Sequence, residues 1–389
     1  MPDFKQNIIQ RINLQQKQGL YRQRKIIDSA QSVRVQLEGK EFLNFSSNDY
    51  LGLANHPKLK EAFKKGIDLY GCGSGASHLM SGHTQAHHEF EEHMAEFLGV
   101  EAVLLYSSGY MANLGVMNSI LTKSDTIFQD KLNHASLIDA GLSAQANMKR
   151  YSHLDYQHLK TLIDKTQSGY RFCVTDAVFS MDGDCADLTT LTKLARKYQS
   201  ILMIDDAHGF GVLGEKGKGL PELQNIQHKA IDCYMATCGK AMGVAGAFIA
   251  GSNDFIDALI QFSRTYTYTT AMPAAQAVAL SGSLTLIKEE SWRRKHLQKL
   301  ITYFKQCAEQ INLKLMPSDT AIQPILIGDT NQAVHLAEDL YQKGVLVTAV
   351  RPPTVPKNTS RIRITLSTEH KKSDIDYLFE CLMKSLYKT

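Results

Sequence analysis

The chain has 389 residues, 43% hydrophobic and 21% charged, with a formal net charge of +4 at pH 7. At roughly 150 residues per domain that length predicts two domains, and a composition near the globular average with a small, dispersed positive excess excludes a basic surface for nucleic acid. The seven cysteines are odd in number, scattered and without a CxxC, which predicts reduced thiols and a cytoplasmic protein. No stretch approaches the ~18 consecutive apolar residues of a membrane span, and the N-terminal residues lack the apolar core of a signal peptide.

In chain order, residues 4 to about 20 predict an amphipathic helix with Ile8, Ile12 and Ile9 toward one face, followed by the basic cluster YRQRK at 21–25, which reads as a solvated arm. Residues 41–45 (EFLNF) predict a strand, and SSNDY at 46–50 a loop that contains Asn48. Asn55 and Pro57 mark a helix start, with Leu59, Phe63 and Ile67 at four-residue spacing. The loop GCGSGA at 71–76 formally fits the dinucleotide fingerprint G-x-G-x-x-G/A. That fingerprint must leave a buried strand and enter a helix, whereas here a Lys-rich amphipathic helix precedes it. Thr84 is a cap for a helix carrying Phe90, Met94, Phe97 and Leu98 and ending at Gly99. The string HEFEEH in that helix is one residue longer than the zincin H-E-x-x-H, so His88 and His93 fall on different faces and no metal is expected.

From Ala102 the pattern changes. Short apolar runs (AVLLY, FCVTDAVF, ILMIDDAH, IDCYMAT, GAFIAG) alternate with helix-length segments, which predicts an α/β fold with a mostly parallel sheet covered on both faces. A long helical stretch from Ala274 leads out of this unit. Beyond it, strands near 321–327, 345–350 and 361–366, a helix near 332–343 and a closing helix from Ser373 predict a smaller α+β domain. The expected division is an N-terminal arm at 1–45, a large domain at 46–285 and a small C-terminal domain at 286–389.

In open parallel sheets ligands bind beyond the carboxyl ends of the strands, and the unusual polar residues of this chain fall at such ends. Lys240 follows IDCYMAT and Cys238-Gly239. A P-loop is excluded because Ala241 follows the Gly-Lys pair and no glycine lies five residues before Gly239. Asp205 ends ILMI, with His208 three residues on, and no third ligand at metal-site spacing stands nearby. Ser180 follows another strand end. Ser107-Ser108-Gly109-Tyr110 joins a strand to a helix N-terminus, a natural anion site. Thr237, Thr269 and Thr270 could add hydroxyls. These are the demands of pyridoxal 5'-phosphate: a lysine for a Schiff base, an acid for the ring nitrogen, a phosphate cradle and a stacking group. The loop histidine His134 suits the last role, and it could also act as an acid.

The motifs NFSSNDYLGL, GSGASHLMSG, NHASLIDA, VFSMDGD, IDDAHGFGVLGEKGKG, TCGKAMGVAGAF and RPPTVP, in that order, make the chain resemble the α-oxoamine synthases, fold-type I pyridoxal phosphate enzymes with an aminotransferase-like fold, along nearly its whole length. The resemblance implies that Lys240 forms the Schiff base, that Asp205, His208, Ser180, Gly109, Tyr110, Thr237 and His134 hold the cofactor, and that catalysis rests on Lys240, His134, Asp205 and His208. It implies substrate binding by Arg351, Thr354, Asn48 and an arginine of the N-terminal arm, Arg22 in preference to Arg24. It further implies a homodimer with a shared site, to which the partner chain contributes Thr270. Asp176 stands where the family often has glutamate. The SHLMSG segment resembles the branch that condenses L-alanine with a pimeloyl thioester, on acyl-carrier protein or coenzyme A, to give 8-amino-7-oxononanoate for biotin synthesis. A glycine-using ligase is the alternative, and a non-catalytic protein of the same fold the rival from another class.

Overall fold

A computed structural model describes residues 3–18 and 20–386 of the chain. The predicted first helix runs Phe4–Lys17, capped by Asp3, which accepts the Lys5 N–H at 2.9 Å; the end expected near residue 20 crosses Gly19, which lies outside the described residues. Its Ile8, Ile9 and Ile12 are all exposed. Strands β1 (Arg34–Leu37) and β2 (Lys40–Asn44) form an antiparallel hairpin whose turn residues, Glu38 and Gly39, both have positive φ, the backbone conformation with which a two-residue turn matches the right-handed twist of its strands.

The large sheet is built from β3 (Ala102–Tyr106), β4 (Thr126–Asp130), β5 (Asn147–Tyr151), β6 (Arg171–Asp176), β7 (Ile201–Asp205), β8 (Cys233–Thr237) and β9 (Ala247–Gly251), in the order β3-β9-β8-β7-β6-β4-β5. All are parallel except β9, which runs antiparallel to both its neighbours. Successive side chains point to opposite faces, so Leu105, Phe128, Leu202 and Ile204 join one buried layer while Leu104, Ile127 and Met203 join the other. Each such side chain contributes about 1.5–3 kcal/mol on burial. Strand β5 was not foreseen, because NMKRY alternates too weakly to signal an edge strand.

The long stretch from Ala274 is two helices, Ala274–Glu289 and Trp292–Gln310; the boundary expected near residue 285 falls one turn before the break between them. The C-terminal part holds β10 (Ile322–Gly328), β11 (Val345–Leu346), β12 (Thr348–Val350) and β13 (Ser360–Thr365). The single strand expected at 345–350 is two: β11 pairs parallel with β2, and β12 pairs antiparallel with β13. Partners on two different sheets divide the run, which no local pattern announces. The seven cysteines are free, and among the described residues no helix is long and apolar enough to cross a membrane.

One charge cluster fixes the loop that carries Ser180. His153 lies 3.0 Å from Asp130 Oδ1 through Nδ1 and 2.8 Å from Asp184 Oδ2 through Nε2, and Asp184 belongs to the loop closed by the Val178–Cys185 bridge. Burial lowers the His153 pKa, but the hydrogen bonds and charges of both carboxylates outweigh it and raise the ring to about 10. The ion pairs therefore stabilise the fold fully below the ordinary histidine value near ~6.5 and fade as pH rises toward the folded value. His153→Gln should cost about 3 kcal/mol at pH 6. The difference in Tm between the two proteins should shrink steadily up to pH 10, and a constant difference would show that the imidazolium carries no such role.

Candidate active site

The carboxyl ends of the central strands and the turn after β3 surround a cavity of about 180 Å³. Register sets its geometry: Asp176 at the end of β6 stands beside Asp205 at the end of β7, and Asp205 beside Met235 of β8. Alternation then separates two consecutive carboxylates. Asp205 lines the cavity, whereas Asp206 turns to the other side and accepts from the Leu220 N–H at 2.8 Å and the Tyr234 hydroxyl at 3.0 Å.

Lys240 follows β8 in a turn closed by the Gly243 N–H, which donates to the Lys240 carbonyl at 2.9 Å. Gly243 has φ +67°, and a Cβ there would lie 2.5 Å from the Ala54 nitrogen, so the turn requires glycine. Lys240 Nζ lies 2.8 Å from His208 Nε2, and His208 Nδ1 lies 2.6 Å from the Tyr50 hydroxyl. Burial pulls the Lys240 ammonium down to about 8, against the attraction of Asp205 and Asp176. The side chain keeps some accessible surface because it lines the cavity. Burial also holds His208 well below the ordinary histidine value, with the Lys240 charge adding to it, so its imidazole is neutral.

Asp205 is gripped from both sides: Oδ2 accepts from the Asn113 amide at 2.9 Å and Oδ1 from the Ala207 N–H at 3.1 Å. Asp176 accepts the His134 N–H at 2.7 Å. Burial, and then the charge of Asp205, push the Asp176 carboxyl well above its usual range, which favours its protonated form. His134 caps the helix Ala135–Ser143, its Nδ1 accepting the Ser136 N–H at 3.2 Å, and its exposed ring stands at the mouth of the cavity.

Ser108 caps the helix Gly109–Ile120, accepting the Met111 N–H at 3.3 Å, and Gly109 and Tyr110 of its first turn line the cavity. A Cβ on Gly109 would sit 2.8 Å from Thr237 Cγ2, so glycine keeps this helix start open to an anion. The Tyr110 hydroxyl donates to Asp139, and Thr237 Oγ1 donates to the Ala207 carbonyl at 3.4 Å.

Of the residues named from the sequence, Gly109, Tyr110, His134, Ser180, Asp205, His208, Thr237 and Lys240 thus share one cavity. Asn48 stands behind it, its Oδ1 accepting from Arg363 Nη2 at 3.0 Å. Arg22, Arg351 and Thr354 line instead a groove of about 1120 Å³, together with Ser46 and Met181; Arg351 Nη2 donates to the Tyr21 carbonyl at 3.0 Å. Because Met181 follows Ser180 in the chain, groove and cavity are adjacent. Arg24 lines a neighbouring hollow. Thr270 is exposed, paired with Ser77 by an antiparallel bridge, and does not line this chain's own cavity.

Sequence reasoning missed Tyr50, Asn113 and Arg363. Arg363 is buried, donates through Nε to the Ser180 carbonyl at 2.6 Å and so ties Ser180 to Asn48. In SRIRIT, arginines at alternate positions look like a solvent face; both are in fact buried.

The site fits pyridoxal phosphate. An open helix N-terminus suits its phosphate, a fixed carboxylate its ring nitrogen and a neutralisable lysine its aldehyde. Asn113 Oδ1, buried without a partner, offers one more acceptor at the cavity wall.

The family described as aminotransferase class I and II matches residues 40–382. A protein of Nitrosococcus oceani named 8-amino-7-oxononanoate synthase is 49% identical over 371 residues, 95% of this chain and 98% of that protein. One of the same name from Saccharophagus degradans is 49% identical over 93% of this chain and 92% of its own length. Among solved structures, 8-amino-7-oxononanoate synthase from Francisella tularensis superposes with a TM-score of 0.78 at 31% identity, covering 89% of this chain and 98% of that one. Sphingomonas wittichii serine palmitoyltransferase gives 0.93 at 26% identity, covering 99% and 97%.

Proposed function

The chain belongs to the aminotransferase class I and II family, and from that premise we propose how it works as a pyridoxal phosphate-dependent acyltransferase that makes 8-amino-7-oxononanoate. The observation that carries this reading is the meeting of Lys240, Asp205, His208 and the open start of the helix Gly109–Ile120 in one cavity. L-Alanine and a pimeloyl thioester are the substrates. The Cα–H bond of alanine breaks, its carbon joins the acyl carbon, the thiol departs, and the alanine carboxylate leaves as carbon dioxide.

Gly109 and Tyr110 with Thr237 would hold the cofactor's phosphate, and Asp205, oriented by Asn113, would face its ring nitrogen. Bound there, pyridoxal phosphate supplies an electron sink for negative charge developing on the substrate carbon. Lys240 anchors the cofactor before substrate arrives. Its amine, with a pKa drawn down by burial, then accepts the Cα proton. His208, neutral and braced by Tyr50, takes a hydrogen bond from that amine and steers it. Ser180 and the exposed ring of His134 line the cavity and would flank the cofactor, and His134 would deliver a proton to the β-keto carboxylate's carbonyl oxygen as carbon dioxide leaves. Arg351 and Thr354 receive the amino-acid carboxylate from the groove side, with Arg22 on the arm opposite and Asn48 behind the cavity. Arg363 is a positioning residue for Ser180 and Asn48.

The protein works as a cytoplasmic homodimer whose partner chain supplies Thr270 to the phosphate. Support comes from its exposure outside this chain's own cavity. Purified holoenzyme offered L-alanine or glycine, each with pimeloyl and acetyl thioesters on carrier protein or coenzyme A, should release carbon dioxide fastest with L-alanine and a pimeloyl donor. Preference for glycine with the short acyl donor would select the ligase instead, and no carbon dioxide from any pair would remove the catalytic reading.

A further inference from the structure

Away from the cavity, five ionisable side chains gather around the start of the helix Gln85–Leu98: His78, His83, His87, His88 and Glu91. His88 and Glu91 lie three residues apart and so share a helix face. The segment before the helix makes one wide turn, with the Gly82 N–H donating to the Ser77 carbonyl at 3.0 Å, and brings His83 onto the same face. His83 Nε2 lies 3.9 Å from Glu91 Oε2, and one donor atom from each of His83, His88 and Glu91 lies within 4.8 Å of the other two. The pairing suggested by HEFEEH fails, since His93 is exposed on another face; His83 supplies from outside the helix the imidazole that His93 cannot.

We propose that His83, His88 and Glu91 form a binding site for a divalent zinc-type ion, held by two imidazoles and one carboxylate with water in the fourth position. Two nitrogens and one oxygen are the donors of zinc and its neighbours, whereas calcium and magnesium take oxygen alone. The ligands are held from behind. Glu91 is buried, and its Oε1 accepts the Leu105 N–H at 2.8 Å, which leaves Oε2 toward His83. His83 Nδ1 lies 3.0 Å from His78 Nδ1, an outer contact that fixes the ring and frees Nε2. Bonds of about 2.0–2.1 Å in a tetrahedron place donor atoms roughly 3.4 Å apart. His88 Nε2 lies 3.2 Å from Glu92 Oε1, and because both side chains are exposed the His88 ring closes the difference by exchanging that contact for the ion and also provides the way in.

The bound ion would join the 77–83 segment to the helix. That segment carries Ser77, the bridge partner of Thr270, so binding should raise thermal stability without entering the cavity around Lys240.

Full-length holoenzyme, treated with a chelator and dialysed, is titrated with Zn²⁺ by calorimetry, and bound metal is counted by emission spectroscopy after gel filtration. One ion per chain is expected, with a rise in Tm. His88→Ala should weaken binding at least tenfold, Glu91→Gln should do the same while keeping the acceptor for Leu105, and His93→Ala should bind as the parent does. Should Glu91→Gln fail to fold, the exposed His88 still decides the matter. Absence of binding, or equal binding by the parent and His88→Ala, overturns the site, and so does loss in His93→Ala.

Discussion

Replacing Lys240 with alanine should abolish product formation, by at least about 10⁴-fold, because the change removes both the cofactor anchor and a positioned base worth up to ~10⁴ alone. Carbon dioxide release from carboxyl-labelled L-alanine measures this directly, and near-parental release would end the proposed mechanism. The fold should survive, since the turn depends on Gly243 and its close approach to Ala54 rather than on the lysine side chain. The lowered pKa adds a second test. Only the neutral amine can attack the cofactor aldehyde, so the rate at which the apoprotein takes up pyridoxal phosphate should climb with pH and level off above about 8. The same assay on Lys240→Arg should show no such limb. A rate independent of pH between 6 and 10 in the parent would contradict the buried, easily deprotonated lysine.

Asp205→Asn should lower kcat by about 10²–10³, the scale of removing one fixed electrostatic contact at a reacting centre. The amide retains the size of the side chain and can still accept from the Ala207 N–H, so the loss reads charge more than packing. Asp206→Asn is the matched control. Asp206 is buried on the other side, and burial raises its carboxyl to about 7. That variant should shift Tm while the folded enzyme keeps its kcat. Equal losses of kcat in the two variants would mean that Asp205 has no special place, and an unchanged kcat in Asp205→Asn would remove it from the mechanism.

How much of this was legible in the sequence follows from how local each feature is. Lys240, Asp205 and His208 stand out because an apolar run ends in a reactive side chain, and parallel strands carry their ends to one edge of the sheet. The cradle at Gly109 is equally local: strand, glycine, helix start. Tyr50 and Asn113 are different. Tyr50 reaches His208 across 158 residues of chain and Asn113 reaches Asp205 across 92, and nothing near either in sequence marks the contact. Arg363 carries no local mark of its role because its partners, Asn48 and Ser180, lie 315 and 183 residues away. The division of residues 345–350 between β11 and β12 has the same cause, since each half is claimed by a strand of a different sheet. The grouping of His83 with His88 and Glu91 depends on a wide turn that ordinary helix periodicity does not contain.

The alternation that parts Asp205 from Asp206 makes the chemistry sensitive to chain length in a way that substitutions never probe. Deleting a single residue within β7 would advance the rest of the strand by one position and turn over each later side chain of that strand. Asp206 would then face the cofactor, and Asp205 would be driven among the buried groups around Tyr234. An insertion placed in the exposed turn before β7 leaves that phase untouched. The site is in this sense written in parity: whether a residue takes part depends on being odd or even along the strand before it depends on being acid or base.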